Sequence, residues 1–189
     1  MAAALPDRVD GVLTYGCLAP YESFSDPDVV AASGPRAGVA EELAAGASLR
    51  ELVEGFTSML MPPPPVSLDL ARELVDEAYS PRSREEVGSV PGLLDQLARS
   101  LAATANAHGD LGLALDMALQ FDAGLPEVLD DVACPVVLVH GAFDLLAGPA
   151  VGGWVADRLP AARVETWDHG HQGLLVAWAR WLALASAAR

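Results

Sequence analysis

The stretch Cys134–Asp144, CPVVLVHGAFD, decides how this chain folds. Pro135–His140 is an apolar, β-branched run of strand length, the pattern of a strand buried on both faces of a parallel sheet. It stops on His140-Gly141 and reaches an acid three residues later. Downstream, GPAVGGWVADRLP predicts a helix from about Pro149 to Leu159, with a proline at its start and Pro160 past its end. ARVETW (Ala162–Trp167) predicts a second strand, HGHQG (His169–Gly173) a loop, and LLVAWARWLALASAA (Leu174–Ala188) a closing helix. Strand, helix, strand, helix is a βαβ unit, whose crossover is right-handed and whose strands are parallel.

In such sheets the functional loops gather beyond the carboxyl ends of the strands. Asp144 falls just past the end of the first strand, and His169 and His171 just past the end of the second. Neighbouring strands lie roughly 5 Å apart, so an Asp144–His171 hydrogen bond is within easy reach. Such a bond fixes an imidazole tautomer and stabilises the imidazolium during proton transfer. It serves chemistry when a nucleophile or water meets the other ring nitrogen. Taken singly, Asp144 reads better as a turn former or helix cap, and His171 as a polar loop residue.

Working outward, Met1–Leu5 predicts the last turn of a helix stopped by Pro6, and Val9–Tyr15 a short strand ending at Gly16. From Tyr21 the character changes. Val39, Leu43, Leu49, Leu52, Val53 and Phe56 recur at helical spacing. Pro62–Pro65 form a stiff extended connector. Ser67 is placed to cap the helix SLDLARELVDEAY, and SVPGLLDQLARSLAATANA follows as another helix. Met59, Met61 and Met117 are expected to pack in a core rather than line a pocket. The organisation is a sheet segment over 1–20, a helical insertion over 21–125, and the βαβα unit over 126–189.

Composition bounds the partners. The chain has 189 residues, 52% of them hydrophobic, enough for one sizeable core. Its 26 acids against 11 bases give a formal charge of −15, a surface that repels phosphate backbones, so nucleic acid is not an expected partner. Cys17 and Cys134 sit in apolar contexts and read as small buried hydrophobes, as suits a reducing cytosol. No apolar run reaches the length of a membrane span and no basic-then-apolar leader is present, so a cytoplasmic chain is expected. No residue cluster has zinc-ligand spacing, and no metal or organic cofactor is expected.

CPVVLVHGAFDLLAGPAVGGWVADRLPAARVETWDHGHQGLL (Cys134–Leu175) resembles the C-terminal end of an α/β-hydrolase. LPDRVDGVLTYGCLAPY (Leu5–Tyr21) resembles that family's segment after the nucleophile helix. The resemblance is close at both ends and loose between Ser23 and Leu125. It implies a partial α/β-hydrolase fold, with three parallel strands, flanking helices and a helical cap insertion. It implies that Asp144 is the catalytic acid and that His171, preceded by Gly170, is the general base. It implies hydrolysis of an ester-like small-molecule substrate. His169 has no counterpart, and His140 matches a strand-end position that is structural.

Other parts of the family's machinery have no match. Its nucleophile sits in G-x-S-x-G between a strand and a helix, and no such motif occurs in this sequence. The serines before Asp144 lie in turns or in the helical insertion. Cys17 follows Gly16 at a strand end, but no second glycine follows and Leu18-Ala19-Pro20 starts a helix poorly. A glycine-rich oxyanion loop is also missing, and a triad without nucleophile and oxyanion donors loses most of its acceleration. The expectation is a fragment of the full enzyme. The alternative is a catalytically inactive remnant or binding module that keeps the cap pocket. In a fragment the inward strand edge presents unpaired backbone, which invites self-association or a complementing N-terminal chain.

Overall fold

The structure, a computed structural model, describes residues 2–18, 20–34, 36–46, 48, 50–54, 64–108 and 129–187. Two compact units emerge. Met1–Ala40 joins Asp122–Arg189 in one, and Glu41–Phe121 forms the other.

The first unit is built on a parallel sheet of three strands, β1 (Val12–Tyr15), β2 (Val136–Gly141) and β3 (Ala162–Trp167), in the order β1-β2-β3. Val12 pairs with Val136 and Val136 with Ala162, so the carboxyl ends of all three strands lie together. β2 is buried at every position, as its unbroken apolar run requires. Because side chains alternate along a strand, the run feeds two cores. Val136 and Leu138 pack with Val29, Val151, Trp154, Val155 and Leu159. Val137 and Val139 pack with Trp167, Leu13, Tyr15, Trp181 and Leu184. The first core is covered by α1 (Pro27–Ala32) and by the βαβ crossover helix.

Helix α2 (Arg36–Ala44) crosses from the first unit to the second along the chain. Within the second unit α3 (Leu68–Ala78), α4 (Pro81–Gly88) and α5 (Leu93–His108) are regular helices. The Ser67 side chain accepts a hydrogen bond from the Leu70 N–H, the cap expected of it. Val66, Ala71, Val75, Ala98 and Ala105 form that unit's core, where small residues let α3 and α5 approach closely. Leu52 is buried, as its helical spacing suggests. Met59, Met61, Met117, Leu49, Phe56, Pro62 and Pro63 lie outside the described residues.

Several boundaries differ from expectation. Residues 2–4 form a turn rather than the end of an α-helix, and Asp7 and Arg8 lie in a single 3-10 turn, Pro6–Arg8. β1 begins at Val12 rather than Val9, because its ladder opens where the Val12 N–H meets the Pro135 carbonyl at 2.9 Å. The crossover helix, α6 (Pro149–Ala156), gives way to three-residue bonds from Arg158 and Leu159, which tighten its last turn. The closing helix is two pieces, α7 (Gly173–Val176) and α8 (Trp178–Ala187). Ala177 between them joins Trp181 and Leu184 on the second face of the sheet.

Candidate active site

The carboxyl ends of β2 and β3 deliver an acid and a histidine to one place. Beyond β2 the chain turns at Gly141, where the Asp144 N–H bonds the Gly141 carbonyl at 3.2 Å. The loop after β3 lies directly against that turn. A Cβ on Gly141 would stand 2.4 Å from the His169 carbonyl oxygen, so only glycine permits this approach. Across the seam the Ala142 N–H donates to the Trp167 carbonyl at 2.7 Å.

These two loops bring Asp144 and His171 together. His171 Nδ1 lies 2.9 Å from Asp144 Oδ2. A carboxylate only accepts, so Nδ1 carries the proton, and in the neutral ring Nε2 is left with a free lone pair. The Asp144 side chain is fully buried, while that of His171 keeps 35% of its surface open. The other Asp144 oxygen, Oδ1, accepts from the backbone N–H groups of Leu146 at 2.8 Å and Ala147 at 3.0 Å. Burial alone works to raise this carboxyl's pKa. The hydrogen bond and charge of His171 and the two backbone donors outweigh it, and Asp144 is held below its ordinary value. The result is an anchored, ionised acid behind a half-open imidazole.

The third strand end completes the surroundings. Gly16, just past β1, sits over the pair with φ +60°, and a Cβ there would lie 3.4 Å from Asp144 Oδ2 and 3.5 Å from His171 Nδ1. Cys17 Sγ meets His140 Nε2 at 3.2 Å. His140 is fully buried and its Nδ1 donates to the Ala147 carbonyl at 2.7 Å, which makes Nε2 the acceptor for the thiol. Desolvation lowers the His140 pKa, so this ring is neutral. Burial pushes the Cys17 thiol up to about 11. A protonated thiol bonded to His140 is not an activated nucleophile. His140 therefore ties down the loop that carries Asp144, while His169 contributes its backbone carbonyl to the Phe143 N–H at 3.3 Å.

Among the described residues no cluster of three or more metal-ligating side chains occurs, and no helix is long and apolar enough to cross a membrane. The spacing predicts that Asp144 and His171 meet, and the structure brings them together; that spacing gives no sign of the approach of Gly16 or of the Cys17–His140 contact. A glycine at a strand end, in β1 as in β2, was the one available signal for Gly16.

No family model matches the chain. Over 77 residues it is 42% identical to a pimeloyl-[acyl-carrier protein] methyl ester esterase of Aromatoleum aromaticum, covering 39% of this chain and 31% of that esterase. Among solved structures it is similar to a hydrolase from Oleispira antarctica, with a TM-score of 0.58 at 18% identity over 99% of this chain and 59% of the other. A thermophilic esterase from Thermogutta terrifontis gives 0.57 at 20% identity, over 98% and 57%. The enol-lactonase of Burkholderia xenovorans gives 0.58 at 18% identity, over 98% and 58%. The chain thus spans less than two thirds of these structures and under a third of the curated esterase. Three parallel strands flanked by helices, together with the structural similarity to these hydrolases, give the chain part of an α/β-hydrolase fold.

Proposed function

We propose that Asp144 and His171 are the acid and general base of a hydrolase that cleaves an ester-like small-molecule substrate. The observation that carries this reading is the 2.9 Å bond from His171 Nδ1 to a buried, ionised Asp144, which leaves Nε2 to take and return a proton. The esterase and lactonase among the similar proteins support the substrate class. In the reaction Nε2 removes the proton from the attacking hydroxyl, and Asp144 stabilises the imidazolium that forms. His171 then protonates the leaving alkoxide. Water deprotonated by Nε2 next attacks the acyl group left on the nucleophile, releasing the acid as His171 returns the proton to the nucleophile's oxygen.

The sequence holds no G-x-S-x-G, and the Cys17 thiol is engaged by His140. The nucleophilic serine and the oxyanion donors are therefore assigned to a segment outside this sequence, which would pair with β1 on the side away from β2. Of the helical segment over 21–125, the compact unit Glu41–Phe121 serves as the cap that sets specificity, while residues 21–40 belong with the sheet. The whole works in the cytoplasm on a small molecule.

The coding sequence upstream of Met1 and a chromogenic short-chain ester test this reading together. An in-frame G-x-S-x-G, with turnover by the extended chain that drops at least about 10³-fold in His171→Ala, is expected. An immediate in-frame stop, with equal background from the chain and from His171→Ala, would overturn it. That result would leave the second reading, a binding module without chemistry, which the missing elbow motif favours.

A further inference from the structure

Tyr15, the last residue of β1, reaches the loop that carries His171. Its hydroxyl donates to the carbonyl oxygen of Gly170 at 2.7 Å, one peptide before the histidine. The ring is fixed by edge-to-face contacts with Trp167, at 5.8 Å between centroids, and with Trp181, at 6.2 Å. The hydroxyl also fits against Gly173, where a Cβ would stand 1.9 Å from it. The loop is therefore shaped around this oxygen on both sides of His171. At the next residue, Gly16, an added Cβ would come to 3.5 Å from the imidazole.

We propose that Tyr15 is a positioning residue for His171, setting the direction of the imidazole through the Gly170 peptide. This inference rests on His171 being the general base. The Gly170 carbonyl fixes the plane of the peptide that leads into His171. The same oxygen also accepts from the Gly173 N–H at 3.1 Å, so removing the phenol takes away one of its holds and loosens the peptide, and Nδ1 would then leave Asp144 Oδ2 more of the time. An imidazole with a loosened Nδ1 bond presents Nε2 over a range of directions, and catalysis is sensitive to displacements of this size. Tyr15→Phe keeps the ring and its aromatic contacts and removes only the donor.

The test is solvent exchange of the His171 Nδ1 proton in the ¹⁵N-labelled full chain, read by imidazole NMR. Tyr15→Phe is expected to speed that exchange about fivefold, the worth of one net hydrogen bond, while amide exchange in β2 and β3 stays unchanged. Gly173→Ala would crowd both the Tyr15 hydroxyl and the His169 side chain, so it serves as a control that disturbs the loop directly and is expected to speed the exchange more than Tyr15→Phe. Unchanged His171 exchange in Tyr15→Phe would overturn the proposal, and so would an acceleration shared equally by the sheet amides. The measurement needs no turnover, so failure of the hydrolase reading would show separately. In a turning-over extended chain Tyr15→Phe lowers kcat about fivefold and leaves KM unaltered.

Discussion

Gly16 and His171 are in van der Waals register: a Cβ on the glycine would stand 3.5 Å from both Cε1 and Nδ1 of the imidazole. The space for a methyl group is therefore ordinary, but the backbone is not, because Gly16 holds φ +60°.

Gly16→Ala accordingly separates strain from crowding. An L-residue in this conformation costs about 1–2 kcal/mol, so the midpoint of thermal unfolding should fall by about 2–8 °C. The Asp144–His171 bond should survive, and the His171 Nδ1 proton should remain visible by NMR. Loss of that proton at temperatures where the variant is folded would show that crowding dominates.

His140 should give the fold a pH dependence of its own. Its folded pKa is lowered by burial, so between that value and the unfolded value, about 6.5, the unfolded chain binds the extra proton. Stability from this group is complete above about pH 6.5 and is lost as the pH falls through the lower, folded value. The groups that face the ring are the Cys17 thiol, the Asp144 carboxylate and the His171 imidazole. Chemical denaturation of the parent chain and of His140→Asn, at a series of pH values, should show a shallower acidic decline in the variant. Parallel curves would refute the assignment.

Cys17 should resist alkylation. With its pKa near 11 against about 8.5 for a free thiol, the thiolate fraction at pH 8 falls on the order of a hundredfold. Iodoacetamide labelling followed by peptide mass spectrometry should show Cys17 reacting that much more slowly in the folded chain than in denaturant. Equal rates would mean that the thiol is neither buried nor held by His140.

What the sequence made legible follows the range of the interactions. The continuous run in β2 could only be a doubly buried strand, and βαβ geometry then forced Asp144 and His171 to adjacent loop ends. Those inferences use local pattern and one general topological rule. The hydroxyl of Tyr15 on Gly170 and the thiol of Cys17 on His140 join residues 155 and 123 positions apart. Nothing near Tyr15 or Cys17 announces such partners, since only the assembled sheet brings them together. The split at Ala177 was hidden for a similar reason: LLVAWARWLALASAA is helical throughout by propensity, and the break shows only where the chain settles onto Trp167 and its neighbours.

The parallel sheet also sets an order of assembly. Asp144 and His171 are separated by 27 positions, Tyr15 and Gly170 by 155. Closing the longer span costs about 1.5 kcal/mol more in chain entropy, with no nearby hairpin to defray it. The segment from β2 to α8 is therefore expected to pair before β1, bringing the acid and the imidazole to adjacent loop ends. The late docking of β1 then sets the final conformation of the histidine loop through the tyrosine.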